Sequence, residues 1–172
     1  MMPRMSKRII LISGAAIIAL FAAMIVEFAP RIVWNASPSA PQGLYLIAEM
    51  TPEVGEYVLI EPSNVVKTVI VERRYLPSDI PLIKRIVALS DVNICRHDAR
   101  VFVDGMHVAD ALEVDSLGRP MPRWSGCFTL QVDEVFLLNG HKRSLDGRYF
   151  GATKKSQIIG VARPIFVREA SK

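Results

Sequence analysis

The sequence predicts a mostly β domain with little helix, carried behind one N-terminal transmembrane helix. Three observations predict it. The first is an apolar block from Ile9 to Ala29 whose one charge is Glu27, near its far end. The second is the recurrence, beyond Pro30, of short apolar runs separated by proline and glycine. The third is an Asp104-Gly105 pair flanked by alternating residues, the strongest short-range hairpin signal in the chain.

Crossing the hydrocarbon core takes about 20 apolar residues as a helix, and Ile9–Ala29 has that length. Arg4, Lys7 and Arg8 precede it and Arg31 follows, so the positive-inside rule keeps residues 1–8 cytoplasmic, makes 9–29 a single-pass anchor and exports residues 30–172. A cleavable signal peptide is the alternative, given the small residues Ala22, Ala23 and Ala29. The run exceeds the roughly 7–15 residues of a cleaved apolar region, which favours a retained anchor.

Arg31 to Gly43, broken by Pro38 and Pro41, reads as an extended loop just outside the membrane. Leu44–Ile47 and Tyr57–Ile60 read as strands, with Pro52 and Gly55 between them. Val65, Val66, Val69 and Ile70 recur at helical spacing and predict a helix over Asn64–Tyr75. Leu82–Leu89 is a nearly continuous apolar strand interrupted by Lys84 and Arg85. The hairpin follows, with arms Arg100–Val103 and Met106–Val108. Leu112–Gly126 lacks periodicity, carries Pro120 and Pro122, and reads as a surface loop; further strands are expected at Cys127–Val132, Val135–Leu138 and Ile158–Val167.

Charge excludes one function class. The 172 residues include 21 basic and 17 acidic side chains, but setting aside Arg4, Lys7, Arg8 and Glu27 leaves 18 against 16. A nearly neutral domain has no basic stripe for phosphates, so nucleic acid is not an expected partner. Cys95 and Cys127, both in the exported part, are a disulfide candidate in an oxidising compartment, the alternative being two buried free thiols. No metal-ligand spacing of the CxxC or HExxH kind occurs, and no metal or cofactor is expected.

Three constellations carry chemistry. Asn35-Ala-Ser37-Pro-Ser39-Ala-Pro41-Gln-Gly43-Leu-Tyr45 holds two serines, two apart, between prolines; it suits a presented nucleophile and equally a linker leaving the membrane. Pro81-Leu-Ile-Lys84-Arg-Ile-Val87 places Lys84 between Leu82 and Ile86 on one strand face. Desolvation there disfavours the ammonium form, and a neutral amine is a base for a serine hydroxyl. Snorkelling, or pairing with Glu61 or Asp79, is the competing reading. Ser144-Leu-Asp146-Gly-Arg148-Tyr-Phe-Gly151 alternates Ser144, Asp146 and Arg148, which an extended chain would bring to one side; a polar turn between strands is the alternative.

Together the three boxes resemble, in order and spacing, the bacterial type I signal peptidases, in the TraF-type branch of conjugative transfer. That resemblance implies a signal-peptidase-like β domain over residues 30–172, in the periplasm, on a single-pass anchor in the bacterial inner membrane. It implies a serine endopeptidase in which Ser39 attacks the scissile carbonyl and Lys84 is the general base. Ser37 would help the Ser39 backbone N–H hold the oxyanion, Ser144 would orient the Lys84 amine, and Asp146 with Arg148 would brace the site. The implied substrate is a pilin-like precursor of the transfer apparatus, cleaved as a signal peptide is, with the acyl-enzyme open to water or to the substrate's own amino terminus, which would give a cyclic product. Ala40 follows the serine where the secretory enzymes have methionine, and Asn139-Gly140-His141 stands where they have Gly-Asp-Asn.

Other functions compete. A general signal peptidase for secreted preproteins, a Ser-His-Asp arrangement using His141 and Asp146, and a non-catalytic anchored scaffold of the transfer apparatus all draw on the same residues. The lysine box accounts for more of them than any alternative.

Overall fold

A computed structural model describes residues 9, 11–18, 32–77 and 80–168. The chain divides into two compact units, Met1–Pro30 and Arg31–Lys172. Residues 9 and 11–18 are helical, and the rest of the expected 9–29 anchor lies outside the described residues. Among the described residues no helix is long and apolar enough to cross a membrane.

The second unit is built on a seven-stranded antiparallel sheet. Its strands are β1 (Ile32–Asn35), β2 (Gln42–Ala48), β3 (Tyr57–Ile60), β4 (Leu82–Ala88), β9 (Glu134–Leu138), β10 (Thr153–Lys154) and β11 (Ile158–Arg168). They lie in the order β1-β2-β11-β3-β4-β9-β10. Between β4 and β9 in the chain, β5 (Asn93–His97), β6 (Arg100–Val103), β7 (Met106–Asp110) and β8 (Gly126–Thr129) make a second sheet, ordered β7-β6-β5-β8.

Both faces of the central strands are buried, and this is why their sequences read as continuous apolar runs rather than alternations. Val58, Ile60, Leu82, Ile86, Leu137 and Val161 pack into one cluster on one face. Leu59, Ile83, Tyr45, Ile47 and Ala162 form another on the opposite face, joined by Ala40. A third cluster fastens the two sheets together, with Ala88, Phe136 and Leu138 against Ile94, Val101 and Val103.

The hairpin forms as expected, Val103 pairing with Met106 across Asp104 and Gly105. Both turn residues take positive φ, 45° and 78°, which suits a turn twisted like its strands.

Four local expectations are corrected. The segment 31–43 is not loop throughout, because Ile32-Val-Trp-Asn35 pairs with Gly43–Leu46 as β1; the prolines confine the irregular backbone to residues 36–41. Helix α1 (Asn64–Glu72) starts at Ser63, whose Oγ accepts from Val66 N–H at 3.4 Å, and stops short of Tyr75. Arg74 turns left-handed at φ 53°, and Tyr75 N–H reaches back to Ile70 O at 3.0 Å, satisfying a carbonyl that the helix leaves open. The strand expected over Cys127–Val132 ends at Thr129. Finally, Gly147–Phe150 is one helical turn, α2, so Ser144, Asp146 and Arg148 are not aligned by an extended chain.

Candidate active site

Ser39 sits on the loop between β1 and β2, where the prolines and the lack of sheet pairing leave backbone groups to be held by side chains. Ser37 Oγ and Ser39 Oγ are 2.9 Å apart, and the Ser39 backbone N–H donates to Ser37 Oγ at 3.3 Å. Both serines are half-buried. Gly43, which returns the chain into β2, has φ +142° and backs against β11, where a Cβ would collide with the Phe166 carbonyl oxygen. No side chain fits there, which accounts for glycine at this place in the box.

Lys84 stands in the middle of β4, opposite Val58 of β3, on the face of Leu82 and Ile86. It is buried, and its Nζ donates to Ser144 Oγ at 3.0 Å. Of the alternative partners, Glu61 pairs instead with Lys67 at 2.6 Å, and Asp79 lies outside the described residues. Loss of water around the amine lowers its pKa from 10.5 to about 8; the Asp146 carboxylate pulls upward and the Arg148 guanidinium downward, each less strongly than burial.

The third box is locked by an ion pair rather than by alternation. Arg148 Nε and Nη2 donate to the two Asp146 oxygens at 2.9 and 3.1 Å, and both residues are buried. Asp146 also caps α2, accepting from Arg148 N–H at 3.3 Å. Gly147 packs so tightly that a Cβ would stand 2.7 Å from Phe136 Cε2 and 2.8 Å from Leu137 O.

Asn139 ties this box to β4, a role the sequence reading did not assign. Its Oδ1 accepts from Arg85 N–H at 3.0 Å and its Nδ2 donates to Ile83 O at 3.0 Å, gripping the backbone on either side of Lys84. Its own N–H donates to Asp146 Oδ2 at 3.1 Å, and its carbonyl accepts from Arg148 Nη2 at 2.6 Å. Asn139 was visible as a departure from Gly-Asp-Asn, but nothing local marked its amide as a bridge to a strand far off in sequence.

The second sheet braces α2 from outside. The buried Arg96 donates through Nη1 to Arg148 O, and Trp124 Nε1 donates to Gly147 O at 3.0 Å. Arg96 follows Cys95, which is bonded to Cys127 directly across β5 and β8. Cys95, Cys127 and His97 cluster within 4.8 Å, but both sulfurs are spent in the disulfide, leaving a single ligand there.

The structure thus gathers the named residues into two sets. Ser37 and Ser39 form one; Lys84, Ser144, Asp146 and Arg148 form the other. Among the described residues no hydrogen bond joins Ser39 to Lys84. They are related through the core, since Ala40, next to Ser39, packs in one cluster with Ile83, next to Lys84. His141 takes no part in a triad: its Nδ1 accepts from Arg143 N–H at 3.2 Å, while the Asp146 oxygens serve Arg148 and Asn139.

A cavity of about 110 Å³ opens beside Lys84, lined chiefly by apolar groups that include Ile60, Val66, Leu82, Leu137 and Leu145.

Residues 5–167 match the family described as signal peptidase, peptidase S26. The plasmid transfer protein TraF of Escherichia coli is 34% identical, covering 94% of this chain and 96% of its own. A conjugal transfer protein TraF of Agrobacterium fabrum is 32% identical, covering 94% and 98%. Among solved structures, a signal peptidase I from Enterococcus faecalis aligns with 66% of this chain and 98% of its own, at 16% identity and a TM-score of 0.40.

Proposed function

The chain belongs to the S26 signal peptidase family, and from that premise we propose that it is a membrane-anchored serine endopeptidase in which Ser39 is the nucleophile and Lys84 the general base. The observation that carries the reading is the state of Lys84. A lysine buried in a β-sheet, held by a hydroxyl and brought down to a pKa of about 8, is a base available near neutral pH. An ordinary lysine is protonated there and cannot take a proton from serine.

In this mechanism the Ser39 hydroxyl attacks the scissile carbonyl as its proton passes to the Lys84 amine. The oxyanion is held by the Ser39 N–H and by the Ser37 hydroxyl, which rotates from its contact with Ser39. Lys84 then returns the proton to the departing amine, and Ser144 keeps the amine aimed throughout. The Ser39–Lys84 contact closes as substrate binds, as catalytic hydrogen bonds commonly tighten in the complex. The substrate we propose is a pilin-like precursor of a conjugative transfer apparatus, in keeping with the names of the relatives. It would bind extended, adding a strand beside the site. Water attacking the resulting ester would give a cleaved product, and an internal amine a cyclic one.

The test is mass spectrometry of a pilin precursor incubated with detergent-solubilised wild type, Ser39→Ala and Lys84→Ala. Cleavage by wild type alone supports the dyad, and the product mass separates hydrolysis from cyclisation. Cleavage by Ser39→Ala would refute the nucleophile, and retained activity in Lys84→Ala the base.

A further inference from the structure

The loop bearing Ser39 is organised by one side chain that none of the three boxes needs for its chemistry. Asn35, the last residue of β1, is paired with Gly43 of β2 and is 9% exposed. Its Oδ1 accepts from Ser37 N–H at 3.0 Å. Its Nδ2 donates to Ser37 O at 3.0 Å, Ala40 O at 3.2 Å and Pro41 O at 3.0 Å. Two amide hydrogens serve three carbonyls, so one is shared.

The rest of the loop has few other supports. Pro38 and Pro41 bring no N–H. Gln42 Nε2 donates to Ala36 O at 2.6 Å, and Tyr45 Oη to Pro41 O at 2.6 Å. Asn35 is therefore the group that grips Ser37 by both its N–H and its carbonyl while also holding the far end of the loop, with Ser39 between the two grips. Asparagine suits the place chemically. A carboxylate of the same shape keeps the acceptor and loses every donor, and would face three carbonyl oxygens with a negative charge.

We propose that Asn35 is the positioning residue of this loop, setting the Ser37 hydroxyl relative to the Ser39 hydroxyl and N–H so that nucleophile and oxyanion donor face one point. The proposal rests on the reading of Ser39 as nucleophile. Asn35 touches no reacting atom and acts through Ser37.

The experiment uses the full chain in detergent micelles with a pilin precursor as substrate. It measures kcat, KM, the pH profile of kcat and the thermal midpoint for Asn35→Asp, for Ser37→Ala and for the double variant. Asn35→Asp is expected to lower kcat about 10²-fold or more, as loss of an oxyanion donor does, with KM within about 2-fold. In Asn35→Ala, which adds no charge, the ascending pH limb set by Lys84 stays in place, because the neutral amide makes no contact with it. Ser37→Ala is expected to cost much less in the Asn35→Asp background than in wild type, the non-additivity of groups acting as a unit. Wild-type kcat in Asn35→Asp, full additivity with Ser37→Ala, or a kcat that falls only as the folded fraction falls would each overturn the proposal. Asn35→Ala, which removes the amide without adding charge, gives the same readouts if the carboxylate prevents folding. Cleavage by Ser39→Ala would instead sink the nucleophile reading, and an inactive Ser39→Ala beside a fully active Asn35→Asp would sink the Asn35 proposal alone.

Discussion

Lys84 and Ser144, sixty residues apart in the chain, meet in a buried hydrogen bond of 3.0 Å. The amine at one end has its pKa lowered to about 8 by burial, and the hydroxyl at the other is 1% exposed. Stability and the proposed activity should both depend on that pair.

Stability should rise with pH across a defined window. The Lys84 amine titrates near 10.5 when unfolded and near 8 when folded. Below about 8 both states hold the proton, and the fold bears the full cost of a buried ammonium. Between about 8 and 10.5 the unfolded state holds more protons, so raising the pH favours the fold, by roughly 3 kcal/mol in all. Comparing denaturant unfolding of wild type and Lys84→Met at pH 7 and pH 10 isolates this contribution. Parallel pH dependences in the two proteins would show that Lys84 is not its source.

The charged pair beside the amine should move the proposed activity profile in opposite directions. Asp146 raises the Lys84 pKa and Arg148 lowers it. Asp146→Asn should therefore shift the ascending limb of kcat/KM, which reports the free enzyme, below its wild-type position near pH 8, and Arg148→Gln should shift it above. Arg148→Gln also leaves a buried carboxylate without its partner, a loss of about 3–5 kcal/mol in unfolding free energy. Limbs that stay put would mean that some other group controls the profile.

Ser37→Ala should lower kcat about 10²-fold with little change in KM, if its hydroxyl supports the oxyanion as proposed. Ser39→Ala should abolish cleavage. Ser144→Ala should fall between them and move the pH limb, because the amine loses the hydroxyl that holds it. Steady-state kinetics on a precursor peptide check all three, and a Ser37→Ala enzyme as fast as wild type would remove the oxyanion role.

Removing the disulfide by Cys95→Ser with Cys127→Ser should cost about 4 kcal/mol through the entropy of a loop of 32 residues. Arg96, next to Cys95, holds Arg148 O, so the loss should also loosen α2. Hydrogen exchange at Tyr149 and Phe150, faster in the variant than in wild type, is the signature; unchanged exchange would show that the sheets stay docked without the bond.

Gly147→Ala should destabilise by about 1–3 kcal/mol through overpacking, since its Cβ would stand 2.7 Å from the buried Phe136 ring. A thermal midpoint equal to wild type would mean that β9 yields easily at this point.

Much of this protein was legible in its sequence because the signals were local. Tyr57–Ile60 and Leu82–Ala88 declare themselves by apolar runs, and Asp104-Gly105 declares its hairpin by turn chemistry. The three boxes, read in order, also led to the family. β1 was hidden because only four residues precede the proline loop, too few for a period to show. Asp146 and Arg148 were expected to share a side by strand alternation, whereas an ion pair and a helical turn bring them together.

By itself, then, the sequence determined several of the central strands, the hairpin turn at Asp104-Gly105 and which residue types are available for chemistry, because each depends on neighbours a few positions away. Only the tertiary structure decided that Lys84 meets Ser144, that Asn139 grips the backbone around Lys84, and that Asn35 holds the loop of Ser39. The first two depend on β4 and β9 becoming neighbours across the inserted second sheet. The third depends on an amide folding back over a turn. The burial and hydrogen bonding around Lys84 arise from the order in which strands pair, and no local pattern of residues specifies them.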